Sequence, residues 1–189
     1  MKDIWVISDT HFGDVDFYTY KLQDGSPARP FNNSVEADEC MVENWNNVVK
    51  PQDKIYILGD LGVKKTLREI LPKLNGKKCL IKGNHDDEKI NFYKEYFYDV
   101  RAYHVMDKIL FAHIPVHPYC KARFLLQAHG HTHTFVFPDK FYQNMCVEKN
   151  NYTPVNYDTL LDLSKKYVRD IDIDTIWDEC YNNKNKIEV

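Results

Sequence analysis

What this chain has little of narrows its class before any motif is read. Cysteine comes to five residues, Cys40, Cys79, Cys120, Cys146 and Cys180, far apart and without a C-x-x-C pair. That spacing matches neither a zinc-finger pattern nor the stapled framework of a small secreted domain, and is read as buried, reduced thiols. Long hydrophobic runs are missing too. The start, "MKDIWVISDTH", meets charges at Lys2 and Asp3, and its apolar stretch is too short for a signal h-region or a membrane span. The expectation is a cytoplasmic protein with no membrane partner. Positive charge is not in excess: the formal net charge is −3. A broad basic face for extended nucleic acid is therefore not expected. No repeat, low-complexity tract or linker divides the 189 residues, so residues 1–189 read as one domain.

What is there is a recurring design, a short apolar run followed at once by polar residues of metal-ligand type. It occurs in "IWVISDTH" (4–11), "KIYILGD" (54–60), "KCLIKGNHD" (78–86), "KILFAH" (108–113) and "ARFLLQAHGHTH" (122–133). Helical patterns lie between the first runs. From Ser34, Val35, Met41, Val42, Trp45, Val48 and Val49 recur at three- and four-residue steps; Asn33 or Ser34 can cap the start, and Pro51 ends the pattern. In "KKTLREILPKLNG", Leu67, Ile70, Leu71 and Leu74 form a second apolar face that Pro72 kinks or ends. Strands alternating with helices predict an α/β fold with a mainly parallel sheet at its start. "FVFPDKFYQNMCVE" reads as a further strand region and "TLLDLSKKYV" as a helix.

Parallel strands gather their following loops along one edge of a sheet, where open α/β folds form ligand sites. Asp9, His11, Asp60, Asn84, His113, His131 and His133 would converge there. Two carboxylates, one amide oxygen and four imidazoles suit Mn²⁺, Fe²⁺, Zn²⁺, Ni²⁺ or Co²⁺, since thiolates and an all-oxygen shell are both missing. Seven groups exceed the need of one ion, and two ions sharing a carboxylate fit the count. In D-x-H, an extended backbone would point Asp9 and His11 the same way, and "GHTH" would repeat that with His131 and His133. Gly59, Gly83 and Gly130 precede ligands, as expected where backbone turns sharply or comes close to an ion.

"DTH", "GD", "GNHD", a later His and "GHTH", in that order, resemble the signature of the calcineurin-like metallophosphoesterases. "DTHFG", "RPF", "HIPVHP" and "NYTPV" look like its small single-domain branch in bacteria and phages. The resemblance implies a four-layer α/β/β/α sandwich of two mixed sheets flanked by helices. It also implies two divalent ions, Mn²⁺ first, with Asp9, His11 and His133 on one, Asn84, His113 and His131 on the other, and Asp60 bridging. A hydroxide shared by the ions would then hydrolyse a phosphodiester: a cyclic nucleotide, a nucleotide or a nucleic-acid end. A phosphomonoester is the alternative substrate, and a non-catalytic binding module of the same fold the alternative class. His85 is the expected general acid, with Asp86 orienting its ring. The presence of His85 and of every ligand position favours the enzyme.

Other residues carry weaker signals. Arg29 and His117 are the candidate substrate contacts, Arg29 by its guanidinium fork at the mouth of the site; the alternatives are a surface or structural role for Arg29, and orientation of His113 or a structural polar contact for His117. Asp14 stands where the branch often has His, as a solvated loop residue, a support for the ligands or an extra ligand. His104 and His129 read as ordinary, partly buried histidines. Asp170, Asp172 and Asp174 alternate as in a calcium loop, but Thr175 stands where that loop needs Gly and Tyr181 where it needs Glu, so calcium is excluded there. The expected partner is a small phosphate ester or nucleotide.

Overall fold

The computed structural model describes residues 2–22 and 24–170; Cys180 and all but the first residue of the rejected calcium motif lie outside them. Two mixed sheets form the body, as expected. In the first, β1 (Ile4–Ile7), β2 (Lys54–Ile57), β3 (Lys77–Ile81) and β4 (Asp99–Arg101) run parallel in the order β4-β3-β2-β1, and β9 (Val155–Asn156) closes the edge antiparallel to β1. In the second, β6 (Ile109–Ala112), β7 (Leu126–His129) and β8 (Tyr142–Asn144) are parallel, and β5 (Tyr103–Met106) is antiparallel to β6.

Strand residues alternate between two cores, because side chains of a strand leave on opposite faces with period two. Ile7, Ile55, Ile57 and Leu80 point to one core with Trp45 and Phe92, whereas Val6, Tyr56, Leu58, Cys79 and Ile81 point to the other. This second core lies between the sheets, where Ile109, Phe111, Leu126 and Ala128 meet them. Both faces of the parallel strands are thus buried, which explains why they read as continuous apolar runs.

The first core is covered by α1 (Ser34–Val48), α2 (Lys64–Ile70) and α3 (Ile90–Lys94). Asn33 caps α1 by accepting from the Glu36 N–H at 3.0 Å. The buried stripe of α1 is Ser34, Ala37, Asp38, Met41 and Trp45. Val35, read from the sequence as facing inward, is 62% exposed, because it sits about 100° round the helix from Ser34. Pro72 converts the end of α2 into a 3-10 turn, Leu71–Lys73. The helix α4 (Tyr157–Asp170) packs Tyr157 and Leu160 into the core between the sheets. No described helix is long and apolar enough to cross a membrane.

One strand expectation fails. Phe135–Phe137 is loop, with Phe135 and Val136 exposed. The Asn144 amide takes the place of a ladder, donating to the carbonyls of His133 and Phe135, both at 2.8 Å, and Pro138 has no N–H to continue one. The described cysteines are free as expected, but Cys120 is exposed.

Candidate metal centre

The loops after β1, β2, β3, β6 and β7 meet at one edge of the molecule and bring all seven expected ligands together. Asp9, His11 and Asp60 have ligand atoms within 4.8 Å of one another, and so have Asp60, His113 and His131. Asp60 stands in both groups. His133 approaches Asp9 Oδ1 through Nε2 at 3.7 Å, and Asn84 Oδ1 lies 2.8 Å from His113 Nε2 and 2.9 Å from His131 Nδ1.

The backbone reaches these positions differently from the sequence expectation. Asp9 and His11 are not extended: their φ angles are 59° and 47°. His131 (69°), His133 (47°) and Asp60 (54°) are likewise left-handed. Five ligand residues therefore occupy a region that non-glycine residues rarely adopt, at roughly 1–3 kcal/mol each, and must be held there by neighbours. The zipper beyond the ends of β1 and β2 is one such restraint: Asp9 N–H donates to Gly59 O (3.0 Å), His11 N–H to Asp60 O (3.1 Å) and Phe12 N–H to Leu61 O (2.8 Å). Two glycines admit close approach. A Cβ on Gly83 would lie 2.2 Å from Asp60 Oδ1, and one on Gly130 would lie 2.2 Å from Asp9 Oδ2.

Electrostatics fit cations. His113 Nδ1 donates to Leu58 O at 2.7 Å, so in the neutral ring Nε2 carries a lone pair, yet it faces Asn84 Oδ1 and Asp60 Oδ2, the latter at 3.3 Å. Acceptors facing one another need a proton or a metal ion between them. Burial pushes the His113 pKa down, but Asp60 and Asp9 outweigh it and the ring ends above the usual value. Burial lowers His11 to about 4, so its ring is neutral at pH 7. Its Nδ1 faces Asp14 at 3.4 Å, and its buried Nε2 has no hydrogen-bond partner. That orphan points toward Asp60 Oδ2 (3.8 Å) and Asp9 Oδ1 (4.0 Å), the separation expected of groups that would share an ion rather than a hydrogen bond. Asp14 thus lies beside the His11 ring, while its Oδ1 accepts from the N–H groups of Asp16 and Phe17.

Two expected roles are corrected. Asp86 does not orient His85: its carboxylate accepts from the N–H groups of Asp60 (2.9 Å), Leu61 (3.0 Å) and Gly83 (2.8 Å), so it ties the β2 and β3 loops together. His85 itself is exposed, its N–H donates to Asp60 Oδ1 at 2.9 Å, and its ring lies 5.6 Å from that of His11. Arg29 does not line the mouth. It is 1% exposed, and its guanidinium donates to Thr10 O (2.8 Å), Asp9 O (2.6 Å) and Glu148 Oε1 (2.9 Å) inside the protein. His117 is exposed and accepts from the Tyr119 N–H at 3.3 Å. His129 is fully buried and bonded to Gly130 O; His104 stacks on Tyr56 at 5.0 Å.

Sequence reading missed Glu148. Its Oε1 accepts from Arg29 and also meets His133 Nδ1 at 3.2 Å. Burial pushes its pKa up, but His133 and Arg29 prevail and hold the carboxyl below the usual range. A signal was present, since Glu148 follows β8 as the other site residues follow their strands. Cys146, on the same segment, donates its thiol to Asp9 Oδ2 at 3.2 Å. Beside the centre, His11, His85, His133 and Glu148 line an open cleft of about 560 Å³ together with Phe17, Tyr20, Lys21 and Leu22.

Fold and centre define the class, an α/β protein whose strand-end loops form a site for divalent cations. The chain belongs to the calcineurin-like phosphoesterase family, whose model matches residues 2–186, and is accordingly a metal-dependent phosphoric ester hydrolase. An uncharacterized protein of Methanocaldococcus jannaschii, MJ1445, is 34% identical over 179 residues, 88% of this chain and 93% of that protein. The crystal structure of a protein of unknown function, AQ665 from Aquifex aeolicus, aligns with a TM-score of 0.69 at 25% identity, covering 86% of this chain and 100% of that one.

Proposed function

We propose that this single-domain hydrolase cleaves a phosphodiester, such as a cyclic nucleotide, a nucleotide or a nucleic-acid end, with two Mn²⁺ ions. In this reading Asp9, His11 and His133 hold one ion, Asn84, His113 and His131 the other, and Asp60 both. When bound, the ions offset the charge of the phosphate and favour ionisation of the attacking water near neutral pH. The protein's own groups supply the rest. His85, exposed at the rim, is the group free to give a proton to the departing oxygen. Asp86 fixes the loop that carries His85, and with it the reach of the ring.

The observation that carries the preference for a diester is the cleft beside His85. It leaves room for an organic group on the phosphate, with Tyr20, 59% exposed, to face a ring and Lys21 to face a further charge. His131 and Asn84 are exposed too and do not line this cleft, so a phosphate bearing two ester arms can lie across the centre. The test is release of p-nitrophenol from bis-p-nitrophenyl phosphate and from p-nitrophenyl phosphate by the Mn²⁺-loaded protein. Faster turnover of the diester is expected. Faster turnover of the monoester would replace this reading by a phosphomonoesterase. A screen of cyclic nucleotides, nucleotides and short oligonucleotides then narrows the substrate.

A further inference from the structure

We infer that Arg29 and Glu148 are positioning residues for one of the two cation groups only, that of Asp9, His11 and His133. This rests on the two-ion reading above and adds a selective dependence to it.

A buried ion pair is a poor stability device, because desolvating both charges offsets much of their attraction. Arg29 and Glu148 are such a pair, with side chains 0% and 2% exposed and Nη2 2.8 Å from Oε1. Their other contacts explain why the pair is there. Nη1 and Nη2 of Arg29 grip the carbonyls of Thr10 and Asp9, the stretch whose left-handed φ angles aim Asp9 and His11 into the centre. Glu148 Oε1 takes the Nδ1 proton of His133, which leaves Nε2, the atom facing Asp9, with its lone pair. Phe17 completes the support. The Arg29 guanidinium lies 4.3 Å from its ring centroid, while the rings of His11 and His133 both pack on it at 4.7 Å.

The side chains of the other group are held by different means, although the backbone N–H of His131 donates to both carboxylate oxygens of Asp9, at 3.1 and 3.0 Å. His113 is fixed by Leu58 O, and His131 and His113 converge on Asn84. Neither Arg29 nor Glu148 has a hydrogen bond or ion pair to Asn84, His113 or His131 among the described residues. Loss of the pair should therefore weaken one ion and spare the other.

The test is calorimetric titration of the metal-stripped protein with Mn²⁺, with circular dichroism to verify the fold. Wild type should take up two ions. Glu148→Gln should weaken one of them by roughly 10- to 100-fold, as loss of a ligand's supporting partner does, and leave the other within about twofold. Added to His131→Ala, Glu148→Gln should weaken the remaining ion; added to His133→Ala, it should change little. Equal weakening of both ions, or of neither, would overturn the inference. Should Glu148→Gln fail to fold, the volume-matched pair Arg29→Met with Glu148→Met removes both charges together, and the same selective loss is expected. Wild type binding a single ion would overturn the two-ion reading itself, a result distinct from two ions weakened alike.

Discussion

His131 shows how much of the centre is decided residue by residue. It is exposed, so a substitution leaves no cavity, yet its φ of 69° costs any side chain with a Cβ. In metal-free protein, His131→Gly should therefore be more stable than His131→Ala by about 1 kcal/mol, the reverse of the usual entropic ranking. Urea unfolding of the two variants measures it, and greater stability of the alanine form would mean the turn is not held left-handed. His85 supports a chemical prediction at the same scale. Since it is outside both ligand groups, His85→Ala should keep both ions while slowing alkyl esters far more than p-nitrophenyl esters, whose leaving group needs little proton donation; metal analysis and the ratio of the two rates decide. The identities of the seven converging side chains were legible from order and residue type, because ligand chemistry leaves few substitutes. Their conformation was not. D-x-H suits an extended strand equally well, and the left-handed turn is imposed by Arg29 and the Gly59, Asp60 and Leu61 carbonyls, partners remote in sequence. Arg29 and Asp86 were misread for the same reason: a guanidinium or carboxylate beside a motif carries no mark of whether it faces solvent or backbone.

Elements were easier to read where one apolar stripe meets one sheet. The extent of α1 and the kink at Pro72 follow from periodicity, a cap and an imino acid, all local. Phe135–Phe137 misled because alternating aromatics fit a strand, while the Asn144 amide that ties the segment into a loop is not local. Within α1, Asp38 is a polar intruder on the buried stripe, 7% exposed, with Oδ1 accepting the Gly13 N–H at 3.2 Å. Burial raises its pKa from 3.8 to about 6 against the opposing pull of Gly13 and Arg29. The folded state thus holds a proton that the unfolded chain loses near pH 4. Stability from this group is full below that pH and is lost as pH rises through about 6. Asp38→Asn keeps an acceptor for Gly13 without the charge. It should match wild type at pH 4 and exceed it by about 1–3 kcal/mol at pH 7.5. Equal stability of the two proteins in urea at pH 7.5 would show that Asp38 ionises there without penalty.

For the molecule as a whole, the centre joins the two sheets. Asp9, His11, Asp60 and Asn84 come from the ends of β1, β2 and β3 in the first; His113, His131 and His133 come from the ends of β6 and β7 in the second. That convergence was legible only as an expectation from parallel strands, since the pairing that divides them into two sheets is non-local. Ions held across the seam stabilise the folded state alone, because the unfolded chain does not assemble the sites. At a free Mn²⁺ concentration 100 times the dissociation constant, each ion contributes about 2.7 kcal/mol. For a chain of this size about 1 kcal/mol moves the melting temperature by roughly 2–4 °C, so chelation should lower it by about 10–20 °C when both sites are filled. His113→Ala, which takes one of the second sheet's two contacts from one group, should retain about half of that protection. Asp60→Ala, placed in both groups, should retain almost none. Melting curves with Mn²⁺ and with chelator measure all three. Full protection of the Asp60→Ala protein would show that no carboxylate is shared, and that each ion is held by its own set of side chains.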